Sequence, residues 1–291
     1  MFKGTATALI TPFTENGVDF DSLEKLLDFQ LNNEIDALVV LGTTGEPPTM
    51  TKEEKLAVMK FAIKKVDHKI PVILGTGSNC TKTAIANTIE AAELGADGAL
   101  VVTPFYNKCT QEGLYLHYKA ICDASPIPVI AYNVPARTGV NILPETLKKL
   151  TSLKQLQGIK DACGKSEQIE QMGKVCQGTH VNYYSGDDEM VIEAMQAGGS
   201  GLISVASNIL PNETSSVVKA CLEKDYAKAQ AILNKYRAID EALFYEVNPI
   251  PVKYAAYKMG LCQNILRLPL TPLSENNAQR LEAIMKDLQL I

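Results

Sequence analysis

The sequence predicts an α/β protein, a (β/α)8 TIM barrel with a small C-terminal helical region, and three observations carry that prediction. Eight short runs read as strands, most of them continuous apolar patches, which is the pattern of parallel strands buried on both faces. Each run is followed by a stretch of helical periodicity, and the eight units fit within roughly 220 residues. No G-x-G-x-x-G follows the first strand, so a doubly wound open sheet has no support.

Residues 5–10 form an apolar run closed by Thr11 and Pro12, suited to a buried first strand. Residues 20–31 carry apolar side chains at helical spacing, with Asp21 or Ser22 as the N-cap. Residues 37–41 are too short an apolar run for a helix. They stop at Gly42-Thr43-Thr44-Gly45-Glu46, and a helix restarts near Thr51 with Glu53 and Glu54 in its first turn. The same unit then repeats. Residues 71–74 run into Gly75-Thr76-Gly77 and a helix over 81–94, and 99–102 into Thr103-Pro104-Phe105-Tyr106-Asn107 and a helix to about 123. Residues 128–132 run into Asn133-Val134-Pro135-Ala136-Arg137-Thr138-Gly139 and a short helix over 145–150. The next strand ends at Lys160, before a helix over 167–176. Residues 181–184 lead into Ser185-Gly186-Asp187-Asp188 and a helix to 197, and 201–205 are the last run. Beyond about Asn212 only helical segments remain, at 215–222, 226–244, 250–259 and 275–288. The barrel with its active site is therefore assigned to residues 1–224 and the C-terminal helical region to 225–291.

Hydrophobic residues make up 46% and charged residues 21% of the 291, enough for a sizeable core. A net charge of -5 with no like-charge block argues against nucleic-acid and membrane partners and for a small-molecule substrate. The seven cysteines are odd in number and contain no C-x-x-C pair, which fits reduced thiols. With no secretory signal and no bilayer-length apolar run, a cytoplasmic location is expected.

In such barrels the active site lies at the C-terminal ends of the strands. The polar residues just past the strands therefore converge: Thr43, Thr44 and Glu46, then Tyr106 and Asn107, Tyr132, Asn133 and Arg137, Lys160, and Ser185 with Asp187. An ammonium at the end of a buried strand is costly unless paired or used, and desolvation lowers its pKa and frees the neutral amine for attack on a carbonyl. Gly42-Thr43-Thr44-Gly45 reads either as an anion cradle or as an ordinary helix-capping turn. Tyr106 and Tyr132 read as proton relays or as packing residues, and Arg137 as a carboxylate clamp or a solvated loop residue. For Asp187 and Asp188 a helix-capping role is favoured over a metal site, because His68, His117 and His180 fall at no ligand spacing. Lysine, hydroxyls, phenols and a cation, with no metal or cofactor set, suit imine chemistry on a small keto acid.

At these residues the chain resembles the dihydrodipicolinate synthase family, within the pyruvate-dependent class I aldolases. The resemblance spans nearly the whole length, from Gly42-Thr43-Thr44-Gly45-Glu46 through Tyr132-Asn133-Val134-Pro135-Ala136-Arg137-Thr138-Gly139 and Gly158-Ile159-Lys160 to Asn248-Pro249-Ile250-Pro251-Val252-Lys253, all in family order. It implies that Lys160 forms an imine with pyruvate, whose enamine then condenses with L-aspartate 4-semialdehyde on the diaminopimelate and lysine pathway. It further implies Tyr132 as central acid/base, linked to Thr44 and Tyr106 in a relay. Thr43 and Thr44 then hold the pyruvate carboxylate, Arg137 holds the semialdehyde carboxylate, and backbone around Gly186 and Ile203 lines the imine. Tyr106 is expected to enter a partner subunit's site, which makes a homodimer the minimum and a homotetramer the expected assembly. N-acetylneuraminate lyase is the nearest rival within the superfamily, and Arg137-Thr138-Gly139 and Thr43 lean against it. A barrel that binds a keto acid without turning it over is the alternative from another class. Lysine-inhibited members bind that amino acid at the dimer interface. Here Asn79 is kept, but Pro47, Pro48, Lys52, Lys55, Thr83 and Phe105 stand at the other matching places, so weak or absent inhibition by lysine is expected.

Overall fold

The computed structural model describes residues 1–291 and is a closed barrel of eight parallel strands. In chain order these are β1 (Gly4–Ala8), β2 (Ala37–Val40), β3 (Val72–Gly75), β4 (Gly98–Val102), β5 (Val129–Asn133), β6 (Leu156–Asp161), β7 (Asn182–Ser185) and β8 (Gly201–Ser204). Each pairs with its sequence neighbour, and β8 closes on β1. The outer helices are α1 (Phe20–Leu31), α2 (Lys52–Val66), α3 (Thr81–Glu93), α4 (Gln111–Ala124), α5 (Pro144–Leu150), α6 (Ser166–Cys176), α7 (Val191–Gln196) and α8 (Pro211–Leu222). Three more follow: α9 (Tyr226–Ala242), α10 (Ile250–Lys258) and α11 (Glu275–Asp287). No helix is long and apolar enough to cross a membrane.

The strand period sets what faces inward. Alternate residues such as Ala6, Ala8, Val39, Ile130, Tyr132 and Ile203 form an inner layer, while the outward set packs beneath the helices. Phe2 stacks on Tyr184 with ring centroids 4.6 Å apart, and the Tyr184 hydroxyl donates to the Phe2 carbonyl at 2.7 Å. Helices α9 to α11 share one core with the first half of the barrel: Ile239, Leu243, Val252 and Leu281 pack with Leu9, Leu26 and Val58.

Two local expectations are corrected. The N-cap of α1 is Asp19, which accepts from Ser22 N at 3.0 Å, so Asp21 and Ser22 lie inside the helix. A two-stranded antiparallel ribbon, Phe13–Thr14 with Gly17–Val18, also went unforeseen, because strands of two residues carry no readable period.

One buried acid sets a pH dependence for the fold. Asp240 on α9 is 4% exposed, and its pKa is pushed up to about 8 by burial first and then by the charges of Asp188, Glu189, Asp187 and Glu241. An unfolded aspartate titrates near 3.9, so the native state holds a proton that the unfolded state has lost across that window. Stability is therefore expected to fall as pH rises from about 4 through about 8. Asp240→Asn should flatten that slope in melting temperatures taken across the range, and an unchanged slope would refute it.

Candidate active site

Lys160 is 4% exposed near the end of β6, with its Nζ 4.5 Å from the centre of the Tyr132 ring. The two side chains meet because Tyr132 and Lys160 are register partners on adjacent strands and both point inward. Burial pulls the lysine pKa down to about 8; the charges of Asp188 and Asp187 oppose the shift, and the Arg137 cation assists it. At about pH 7.5 a pKa of 8 leaves about a quarter of the amine neutral, against about one part in a thousand for an ordinary lysine. Burial raises the Tyr132 pKa, against the pull of the Arg137 cation and of a hydrogen bond with the Thr43 side chain, so Tyr132 stands as a protonated phenol.

These groups line a cavity of about 590 Å³ at the C-terminal mouth of the barrel. Thr43, Thr44, Tyr132, Arg137, Lys160 and Gly186 all contribute to its wall. Gly186 is required for space: a Cβ there would lie 2.8 Å from Lys160 Cε and 3.0 Å from Ala162 Cβ. Because the crowded atom belongs to a flexible side chain, Gly186→Ala should fold normally yet displace the amine. We expect about a 100-fold loss in kcat/KM for the keto acid, the typical cost of a displacement near 1 Å. A kcat/KM within threefold of wild type would count against this geometry.

Arg137 is exposed at the rim, on the single helical turn Pro135–Thr138 after β5, and its Nη2 donates to the Asn248 carbonyl at 3.0 Å. Asn248 also donates from Nδ2 to the Thr44 hydroxyl at 3.0 Å. Asn248, which stands in the motif Asn248-Pro249-Ile250-Pro251-Val252-Lys253, thus links the threonine loop to the arginine loop. With Phe244 to Val247 it brings the segment between α9 and α10 into the cavity wall. The same junction holds a fully buried ion pair, Lys253 Nζ to Glu46 Oε1 at 2.5 Å, with the ammonium 4.2 Å from the Phe13 ring centre. Removing one partner alone would strand a buried charge, at a cost of about 3–5 kcal/mol.

Two expectations change, those for the hydroxyl beside Tyr132 and for the cap of α7. The hydroxyl hydrogen-bonded to the Tyr132 phenol is that of Thr43, whereas the Thr44 hydroxyl accepts from Asn248. Ile203 is fully buried in the inner layer of the barrel, and Val205, two residues on, lines the cavity. Asp187 and Asp188 do not cap α7, which begins at Val191 with no side-chain cap. Asp188 instead accepts from Ser204 Oγ at 2.5 Å and Val205 N at 2.9 Å, bracing the loop after β7 against the end of β8. Tyr106, finally, is not brought into the site of its own chain. It stands 90% exposed with φ at 74°, on a loop tied down by Asn79 Nδ2 donating to the Phe105 carbonyl at 3.2 Å.

The family model for the dihydrodipicolinate synthetase family matches residues 1–288. The chain belongs to this family. Within the dihydrodipicolinate synthetase family it is 48% identical over 291 residues to a 4-hydroxy-tetrahydrodipicolinate synthase of Alkaliphilus oremlandii, covering 100% of both chains. Among solved family structures, dihydrodipicolinate synthase of Thermotoga maritima superposes with a TM-score of 0.98 at 42% identity, with 100% of each chain covered. A chloride-inhibited dihydrodipicolinate synthase of Acinetobacter baumannii, complexed with pyruvate, gives 0.97 at 43% identity, again with 100% of each covered. These matches agree with the resemblance drawn from the motifs.

Proposed function

We propose that the chain is a 4-hydroxy-tetrahydrodipicolinate synthase, a lyase that condenses pyruvate with L-aspartate 4-semialdehyde through a Schiff base, in diaminopimelate and lysine biosynthesis. The observation that carries this is a buried, depressed-pKa lysine under a tyrosine ring, in a cavity with threonines on one wall and an arginine at the rim. In this reading Thr43 and Thr44 receive the pyruvate carboxylate, and the neutral Lys160 amine attacks C2. Water leaves as the imine forms. Loss of a methyl proton gives the enamine, whose carbon attacks the aldehyde of the second substrate while Arg137 holds that substrate's carboxylate. Tyr132 supplies the proton to the developing alkoxide, with Thr43 as the adjoining relay hydroxyl. The substrate's own amino group then attacks the imine carbon and displaces Lys160, releasing the cyclic product. Backbone at Gly186 and Ile203 completes the imine's surroundings.

Tyr106 enters this reading through a partner. An aromatic ring left 90% exposed on a left-handed backbone supports insertion into another subunit's site, so a homodimer is the minimum active unit and a homotetramer the expected assembly. Seven unpaired thiols support a reducing, cytoplasmic setting. Steady-state turnover of pyruvate with L-aspartate 4-semialdehyde, set beside cleavage of sialic acid, tests the assignment. Turnover in the first assay alone is expected, and sialic acid cleavage alone would shift the assignment to the lyase. Lysine should leave the initial rate nearly unchanged. At the place matched to the lysine site, Lys52 is a 69% exposed cation 3.4 Å from Glu90, and a cationic ligand gains nothing there. Strong inhibition at physiological lysine would overturn that expectation.

A further inference from the structure

Directly behind the reacting pair, on the outer face of the same two strands, lies a buried polar network that the mechanism above does not use. Asn133 and Asp161 follow Tyr132 and Lys160 in sequence and are themselves register partners. Asn133 is 0% exposed and Asp161 3%. Asn133 Nδ2 donates to Asp161 Oδ1 and to Asn141 Oδ1, both at 2.8 Å, while its Oδ1 accepts from Ile142 N at 2.9 Å. The other carboxylate oxygen of Asp161 accepts from the Tyr183 hydroxyl at 3.3 Å, reaching β7. Asn141 continues the chain to Gln168 of α6 at 2.8 Å. Burying a carboxylate and three carboxamides among helices costs free energy unless every group is satisfied, and an apolar contact would pack the same strands. What an apolar contact lacks is direction. These bonds fix three things at once: the ends of β5 and β6, the strand β7 that flanks β6 on its other side, and the return of the loop that carries Arg137.

We propose that Asn133 and Asp161 are positioning residues for the condensation, a hydrogen-bonded clamp on the back of β5 and β6 that holds the Tyr132 ring over the Lys160 amine and anchors the Arg137 loop. The proposal rests on the synthase reading. Strand register gives the clamp its leverage: a side chain and the one after it share a backbone segment, so a shift of Asn133 against Asp161 moves Tyr132 against Lys160 on the opposite face. With the clamp broken, water gains access between the ring and the amine, and the lysine titrates closer to an ordinary lysine.

The test is Asn133→Ala and Asp161→Ala in the full chain, with Asp161→Asn as the conservative variant that keeps a carbonyl oxygen facing Asn133. Two quantities are read at temperatures where each variant is folded: kcat for the condensation, and the pH of half-maximal borohydride trapping of pyruvate. Both alanine variants should lose about tenfold in kcat. Their trapping midpoint should move up by about one pH unit, and Asp161→Asn should recover most of both effects. If the alanine variants do not fold, Asn133→Ser carries the same comparison, since a serine is too short to reach Asp161. A lower melting temperature with kcat within twofold of wild type and an unmoved midpoint would overturn the clamp. Failure of the synthase reading would appear in the wild-type enzyme, as absent turnover, whereas failure of the clamp appears only in the variants.

Discussion

Lys160→Ala is expected to abolish the pyruvate adduct and to lower kcat by at least about 1,000-fold, because no other group in the cavity can form the covalent intermediate. The loss should not come from unfolding. Lys160 is 4% exposed and its amine is held against its preference for water, so removing it relieves a desolvation cost. The space left behind adjoins the 590 Å³ cavity and fills with solvent, so the variant avoids the penalty of a sealed void. A melting temperature close to or above that of wild type, together with lost turnover, is the predicted pair of results. Near-normal activity would refute the mechanism.

Tyr132→Phe is the second large effect. The phenol is the proton donor in the proposed mechanism, and its loss should lower kcat by about 100- to 10,000-fold. The ring, which shields the lysine amine from 4.5 Å away, is kept. The pH of half-maximal imine trapping should therefore stay near the lysine pKa of about 8 while turnover collapses. Were the tyrosine only a packing residue, both measurements would remain at wild-type values. Comparison with Lys160→Ala then separates proton transfer from covalent chemistry, since the phenylalanine variant should still accumulate the reduced pyruvate adduct.

The barrel was legible because fully buried parallel strands leave an unmistakable pattern, such as residues 37–41 or 99–102, that needs no partner to be read. Lys160 was legible for the opposite reason, as the one cation closing such a run. Direction within turns was not legible. Thr43 and Thr44 are adjacent in a 3-10 turn, and only its geometry decides which hydroxyl meets Tyr132. Long-range partners were equally hidden: Asn248 reaches Thr44 across 204 positions, and Glu46 reaches Lys253 across 207. Asp188 was misassigned because an acidic residue before a helix usually caps it, whereas here the carboxylate is drawn to free donors at the end of β8. The exposure of Tyr106 is a property of one chain, and the role proposed for it calls for a second.

The central claim is that Lys160 carries the keto acid covalently, and borohydride reduction in the presence of pyruvate tests it most directly. Intact mass should rise by one reduced pyruvate per chain, and peptide mapping should place the modification on Lys160. No mass gain, or a modification mapped to another lysine, would contradict the account.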